Sequence, residues 1–182
     1  MKTLKTSLLA VVLVLSFATS ALANCGPAAD RDPGAPGVSM AAARGSTLCL
    51  LNVERTRRGL GKLRSNGKLA LAGLRHAHDM VDHSYFAHDA PSGQDFVQRI
   101  MKTDYVPASA SWFLGENLAW GEREAATPRQ ITRAWMASPE HKRNILTRGF
   151  REIGIAIVAG APVSGVSQGA TYATEFGAVH RR

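Results

Sequence analysis

The sequence predicts an α+β domain in which helices flank a small, mainly antiparallel sheet. Apolar residues recur at helical spacing in the first half of the chain, between residues 46 and 83. The clearest strand patterns come late, at residues 153–159 and 170–177, and a loop rich in Gly, Pro and Ser joins them. The chain has 182 residues, 45% of them hydrophobic and 20% charged. This composition suits one globular domain and excludes collagen-like, coiled-coil and disordered classes.

The first 23 residues are predicted to be a secretory signal peptide and not part of the fold. Lys2 and Lys5 precede an uncharged apolar run at residues 8–17, and Ala-Leu-Ala precedes a cleavage site at Asn24. The run is about half of the roughly 20 residues that a membrane span needs, so no transmembrane anchor is expected after cleavage. The mature protein is therefore expected to be secreted or to lie in the cell envelope.

The two cysteines, Cys25 and Cys49, are predicted to form a disulfide, because an exported protein meets an oxidising compartment. The bridge would close a loop rich in Gly, Pro and Ala. Because it restricts the unfolded chain, such a bridge would stabilise the fold by roughly 3 kcal/mol. Two alternatives stay open at this point. Cys49 could be a buried free thiol, and Cys25 could carry a lipid.

Residues 24–43 have no apolar period and are predicted to be a flexible, extended leader before a domain at 44–180. Ser46 is the predicted N-cap of a first helix, which runs to Arg58 and ends at Gly59.

A second helix is predicted from about Asn66 to His83. In it, Leu71, Leu74, His78 and Val81 share one apolar face, which is widened by Leu69, Ala70, Ala77 and Met80. His78 is therefore expected to be a core residue and not a ligand, whereas His76 and His83 are expected to be partly exposed.

The second half of the chain predicts shorter elements. A loop at 84–93, a short helix at 94–102 and an irregular stretch at 103–114 precede a strand at 117–121. Pro128 suits the first turn of a helix that runs to Ala137, where Pro139 is expected to stop it. The two late strands complete the sheet.

Charge and motifs exclude several function classes. The formal net charge is +8, which would favour an anionic wall or membrane surface. No stretch alternates basic and aromatic residues, so no nucleic-acid partner is expected. The chain has no HExxH, GxSxG, Walker or CxxC motif, and no GxGxxG motif follows a predicted strand.

Polar residues at the ends of elements are the remaining candidates for chemistry. His88, Glu116 and His141 offer two imidazoles and one carboxylate from separate elements. Such a set could hold a divalent metal such as Zn²⁺, or it could act as a general base and acid without a metal. It could equally be a buried polar network that pins the elements together. His83 is a further, weaker candidate for the same cleft.

Seven short segments, in order along the chain, carry a resemblance to a known family. They are Leu51-Asn52 with Arg55 and Gly59-Leu60; Leu69 with His76-Ala77-His78-Asp79-Met80; Tyr85-Phe86-Ala87-His88 with Ser92-Gly93; Gly115-Glu116-Asn117-Leu118-Ala119; Trp135 to Leu146; Phe150 with Ile153-Gly154-Ile155; and Tyr172 with Phe176-Gly177. Over about residues 46–177 the chain resembles the CAP superfamily of cysteine-rich secretory, antigen 5 and pathogenesis-related proteins, in its bacterial SCP-domain branch.

The resemblance implies a three-layer α-β-α sandwich with a small central antiparallel sheet and a cleft that carries two His and two Glu. His88, Glu116 and His141 match three of these four positions. The fourth position falls on Ser138, where the family has Glu, and Glu140 lies near it but does not match. Ser138 is therefore a cleft residue in this prediction. Trp112 and Trp120, which flank Glu116, are expected to pack along the cleft wall.

The function that this resemblance implies is open. The leading hypothesis is a secreted, monomeric binding protein for an envelope or extracellular ligand, such as a lipid, a sterol or a cell-wall fragment. Residues 94–114 carry many large apolar side chains and are the expected wall of any apolar groove. The alternatives are a metal-dependent hydrolase and a structural surface or stress-associated domain. Apart from a divalent metal, no cofactor is expected.

Overall fold

A computed structural model describes residues 24–166 and 168–180. The predicted signal peptide at 1–23 lies outside the described residues. The helices are α1 (Met40–Thr56), α2 (Gly67–Asp82), α3 (Phe96–Met101), α4 (Pro128–Ala137) and α5 (Pro139–Leu146), with 3-10 turns at Pro27–Asp30 and Arg123–Ala126. The strands are β1 (Arg64–Ser65), β2 (Ser111–Gly121), β3 (Glu152–Ala159) and β4 (Ala170–His180).

The strands form one sheet in the order β1-β3-β4-β2, which is antiparallel except for the short β1–β3 pair. Alternate residues of β4 reach opposite faces of this sheet. Tyr172 and Phe176 pack with Trp135 of α4 and Ile145 of α5, whereas Ala173 packs with α2. Helices α1, α4 and α5 therefore cover one face, and α2 covers the other. These three layers confirm the predicted α+β sandwich.

The first helix begins earlier than predicted. Its N-cap is Ser39, whose hydroxyl accepts from the Ala42 amide at 3.3 Å. The prediction that Ser46 is the N-cap is wrong. Ser46 lies within α1, its side chain is buried, and its hydroxyl donates to the Cys25 carbonyl at 2.7 Å. Residues 41–43 are consecutive alanines, the strongest helix formers, so the helix extends back through them.

The segment before α1 packs against the domain. Cys25 and Cys49 form the predicted disulfide, with their Cα atoms 5.6 Å apart. The Asp30 carboxylate accepts from Arg129 Nη2 of α4 at 2.9 Å, and Asp32 accepts from Gln168 at 2.9 Å. These contacts hold a segment that the sequence predicts to be extended. The predicted domain boundaries stay predictions.

The buried face of α2 includes the predicted Leu69, Ala77 and Met80 but differs from the predicted centre of that face. Leu71 is 40% exposed, Leu74 is 36% exposed and His78 is also exposed, while His76 is 1% exposed. The expected environments of His76 and His78 are therefore exchanged. The physical reason is the close approach of α2 to the sheet, where a Cβ added to Gly154 would lie 2.0 Å from a backbone nitrogen of α2. Only a face rich in Ala and Gly fits this contact.

Two further elements differ from the predictions. Strand β2 begins at Ser111 and not at Asn117, and it pairs with β4 residue for residue from Ser111–His180 to Gly121–Ala170. Pro139 ends α4 but also begins α5, where a proline at the first helical position costs no hydrogen bond. Within the described residues, we find no helix with the length and apolar character of a membrane span.

Candidate functional site

The structure brings three of the predicted site residues into one cleft of about 310 Å³. The cleft lies between β2, α5 and the loop before α3. Its lining residues are His88, Phe96, Leu114, Gly115, Glu116, Asn117, Glu140, His141, Arg143 and Asn144. Three separate elements therefore supply His88, Glu116 and His141 to one cleft.

Glu116 is the buried anchor of the cleft. Its Oε1 accepts from His88 Nδ1 at 2.7 Å and its Oε2 accepts from Arg99 Nη2 at 2.7 Å. Burial alone would raise the pKa of Glu116, but the hydrogen bond from His88 and the charge of Arg99 hold it below its ordinary value. Glu116 is therefore an ionised carboxylate whose two oxygens are both engaged.

The two histidines of the cleft have opposite electrostatic surroundings. The hydrogen bond to Glu116 raises the pKa of His88, whose side chain is 55% exposed. Burial and the neighbouring His88 lower the pKa of His141. His141 Nδ1 lies 2.8 Å from the Ser138 hydroxyl. Among the residues that the structure describes, neither Nε2 atom has a hydrogen-bond partner, so both are available to a ligand.

Asparagine side chains fix the backbone around Glu116. Asn144 Nδ2 of α5 donates to the Glu116 carbonyl at 3.0 Å and to Asn117 Oδ1 at 2.8 Å, and Asn117 Nδ2 donates to the His141 carbonyl at 3.0 Å. These bonds tie strand β2 to helix α5. They explain how residues 25 positions apart in sequence come to line the same cleft.

Two charged residues of the site escaped the sequence analysis. Arg99 is only 5% exposed and pairs with Glu116. Glu175 is fully buried on β4, directly opposite Glu116, and neither of its oxygens has a donor among the described residues. Burial and the adjacent Glu116 raise the pKa of Glu175 well above its ordinary value. One signal could have identified Glu175, because it is the only charged residue between Ala170 and Val179.

The remaining predicted cleft residues lie elsewhere or at the edge. Ser138 contacts His141 at the junction of α4 and α5. Trp112 is 45% exposed near the start of β2, and Trp120 lines a separate cavity beside α4. Glu140, which does not match the family position, lines the cleft itself.

The predicted metal ligands fit a metal only in part. Within residues 24–166 and 168–180, no group of three or more His, Cys, Asp or Glu side chains is arranged to hold an ion. Glu116 does not fit as a direct ligand because His88 and Arg99 occupy both of its oxygens. His88 does fit, since a metal-binding imidazole commonly donates its other nitrogen to a carboxylate. His141 fits in the same way through its free Nε2.

Comparison with known proteins gives a family match and one curated relative. The model of the "Cysteine-rich secretory protein family" (CAP) matches residues 48–172. The "Uncharacterized protein YkwD" of Bacillus subtilis (strain 168) is 34% identical over 110 residues, which are 60% of this chain and 40% of that protein. The chain therefore spans less than half the length of this relative.

Solved structures share the fold at low identity. An outer surface protein from Borrelia burgdorferi matches with a TM-score of 0.64 and 19% identity, over 77% of this chain and 95% of that one. An extracellular protein containing an SCP domain from Bacillus anthracis matches with a TM-score of 0.55 and 20% identity, over 78% and 44%. A cysteine-rich secretory protein from Staphylococcus aureus matches with a TM-score of 0.53 and 17% identity, over 78% and 40%.

Proposed function

The chain belongs to the cysteine-rich secretory protein (CAP) family, and from that premise we propose that it is a secreted binding protein for an envelope or extracellular ligand. One observation carries the proposal. Glu116 is buried and ionised between Arg99 and His88, while His88 stays half exposed at the cleft. A buried charge destabilises the fold unless it is paired, and Glu116 is paired on both of its oxygens. One of its partners, the His88 imidazole, is accessible to a ligand at the surface of the cleft.

The lining of the cleft indicates the chemistry of the ligand. His88, His141 and Arg143 offer nitrogen donors, and Asn144 and Asn117 are occupied with the backbone. Phe96 and Leu114 are the large apolar side chains of the lining. The ligand we propose presents a polar or anionic group to the histidines and a short apolar part to Phe96 and Leu114. A cell-wall fragment and a lipid headgroup both have this character.

Of the large apolar side chains in residues 94–114, Phe96 and Leu114 line the cleft, whereas the exposed Trp112 and Phe113 do not. Ile100 and Tyr105 pack with Leu69 and Ala72 in the core, so they are not available to a ligand. A deep lipid or sterol groove in this stretch is therefore less well supported than a cleft that binds a polar headgroup.

A second candidate function is metal-assisted hydrolysis, and it rests on the arrangement of the two imidazoles. Each Nδ1 is held, by Glu116 in His88 and by Ser138 in His141, which leaves each Nε2 for an ion. A divalent metal there would activate a bound water as a nucleophile. Glu116 would orient His88 and support its basicity.

A ligand titration tests the binding proposal. The ¹⁵N-labelled mature chain would be titrated with muropeptide fragments and with micelles of anionic and neutral lipids, and followed by NMR. We expect one class to shift amides of residues 114–117 and 140–144, and His88→Ala to weaken it at least tenfold. His78→Ala is the matched control, because His78 is an exposed histidine of α2. Equal weakening by both variants, or shifts confined to other surfaces, would contradict the proposal.

A further inference from the structure

A second cavity lies between α2 and α3, on the other side of Arg99 from the cleft. It has a volume of about 250 Å³ and shares no lining residue with the cleft. Its lining consists of Ala72, Arg75, His76, Asp79, Ala90, Ser92, Gln94, Arg99 and Lys102. Small-molecule pockets usually measure roughly 300–1,000 Å³, so this cavity suits a small ion or fragment.

Arg99 forms the inner wall of this cavity, and its Nε is a buried donor atom without a partner among the described residues. Its Nη1 donates to the Gln94 carbonyl at 3.0 Å, and its Nη2 donates to the His88 carbonyl at 2.8 Å and to Glu116 at 2.7 Å. Its Nε–H is buried and has no acceptor among the described residues. Buried donors in folded proteins nearly always have a partner, so this one indicates that an acceptor is missing.

The charges around the cavity favour an anion. Arg75 and Lys102 are exposed at its rim, and neither forms an ion pair within the described part of the chain. Asp79 is the one acid in the lining, and its carboxylate is already bonded to the Tyr85 hydroxyl and to His83. His76 is also engaged, because its Nε2 lies 2.9 Å from the Ala87 carbonyl. The charged donors left free are those of Arg75 and Lys102, and Ser92 and Gln94 add neutral donors to the lining.

We propose that this cavity is a second binding site, which takes a phosphate group. Arg75 lies on α2, Arg99 lies on α3 and Lys102 directly follows α3, and all three line the cavity. A guanidinium presents several donors in a planar fork that matches phosphate oxygens. Arg99 adds a buried guanidinium to the same wall, and its Nε–H lacks an acceptor among the described residues. This proposal does not rest on the proposed function, because the two cavities share no lining residue.

The test is a titration of the ¹⁵N-labelled mature chain at constant ionic strength. One arm uses inorganic phosphate and a second arm uses glycerol phosphate, which distinguishes the free ion from a phosphoester. We expect saturable shifts of amides at residues 90–94 and in α3, with no comparable shift in α5. Sodium chloride at the same ionic strength is the reference, and it should give no saturable shift there.

Variants assign the site to the cationic rim. Arg75→Ala/Lys102→Ala should weaken phosphate binding at least tenfold. Lys62→Ala/Arg64→Ala removes the same charge from exposed positions around β1 and should change binding less than twofold. Arg99→Lys keeps the charge and loses the Nε donor, and it should also weaken binding, with circular dichroism used to check its fold. Equal loss in both double variants, or no saturable shift with either phosphate, would overturn the proposal.

Discussion

Glu116 and Glu175 are directly opposite each other on paired strands. Two buried carboxylates that are neighbours do not both ionise, because their charges repel. The structure assigns the charge to Glu116, which has His88 and Arg99 as partners. Glu175 has no such partner and holds the proton. A protonated carboxyl carries no charge, so its burial costs much less than the burial of a carboxylate would.

Glu175→Gln should change the pH dependence of stability. Because the folded pKa of Glu175 is raised, its contribution to stability is fully present below the unfolded value near 4.5 and is lost as pH rises through the folded pKa. Gln cannot ionise, so the variant should match the native protein at pH 4 and be the more stable one at pH 8. Urea unfolding at both pH values measures this. A variant that is less stable at pH 8 would show that Glu175 is charged.

His88 and His141 should titrate in a defined order. Glu116 raises the pKa of His88, while burial and His88 lower that of His141. NMR titration of the imidazole protons should therefore find His88 protonated over a higher pH range than His141. Glu116→Gln removes the carboxylate and should lower the pKa of His88. An unchanged pKa of His88 in that variant would mean that the His88–Glu116 pair is not formed in solution.

The residues of the cleft divide by how they could be recognised. His88, Glu116 and His141 were predictable because each lies in a short motif of a family resemblance. Arg99 of α3 pairs with Glu116, and Glu175 of β4 lies opposite it, so their place in the site depends on the packing of distant segments. Which side chains meet across a sheet depends on register, and no local motif records it.

Helix α2 shows why a helix can be predicted correctly and its orientation wrongly. Leu71 and Leu74 predict a face of α2 that the structure leaves exposed. The residues that are buried against the sheet are Leu69, Ala72, Gly73, His76, Ala77 and Met80. The helix lies so close to Gly154 and Ala173 that small residues are required there. The pattern of hydrophobic residues does not encode this distance, so Leu71 and Leu74 do not mark the side of the helix that meets the sheet.

Variants of two histidines test the orientation of α2. His76→Gln removes a buried ring whose nitrogens face the Ala87 carbonyl and the Tyr85 hydroxyl, so it should destabilise the fold by about 1–3 kcal/mol. His78→Gln changes an exposed residue and should stay within about 0.5 kcal/mol. Chemical unfolding of both variants gives the comparison. The reverse order would restore the orientation that the sequence predicts.

The disulfide joins the segment before α1 to the middle of that helix. Cys25→Ser/Cys49→Ser should lower the free energy of unfolding by roughly 2–4 kcal/mol, because the bridge restricts the unfolded chain. The ion pair of Asp30 with Arg129 and the bond of Ser46 to the Cys25 carbonyl remain, so the variant should still fold. Thermal unfolding with and without reductant measures the loss. An unchanged midpoint would show that these other contacts suffice.

At the scale of the whole molecule, the layers were predictable and the sheet order was not. The late strands and the helix periods predict the α+β class, and the family resemblance implies three layers. The sequence predicts strand β2 only from Asn117 onward, because Gly115 and the charged Glu116 interrupt its apolar pattern. Its full length follows from pairing with β4 over eleven residues. Pairing between distant segments is a property of the assembled sheet.

The assembled fold is what places the two histidines together. The central claim is that His88 and His141, from a loop and from α5, face the same ligand in one cleft. Zn²⁺ is a suitable probe, because an ion that needs both imidazoles reports whether they converge. Calorimetric titration of the mature protein should give one saturable site. His88→Ala and His141→Ala should each weaken it at least tenfold, and His78→Ala should leave it unchanged. Equal Zn²⁺ affinity in all four proteins would contradict the shared site.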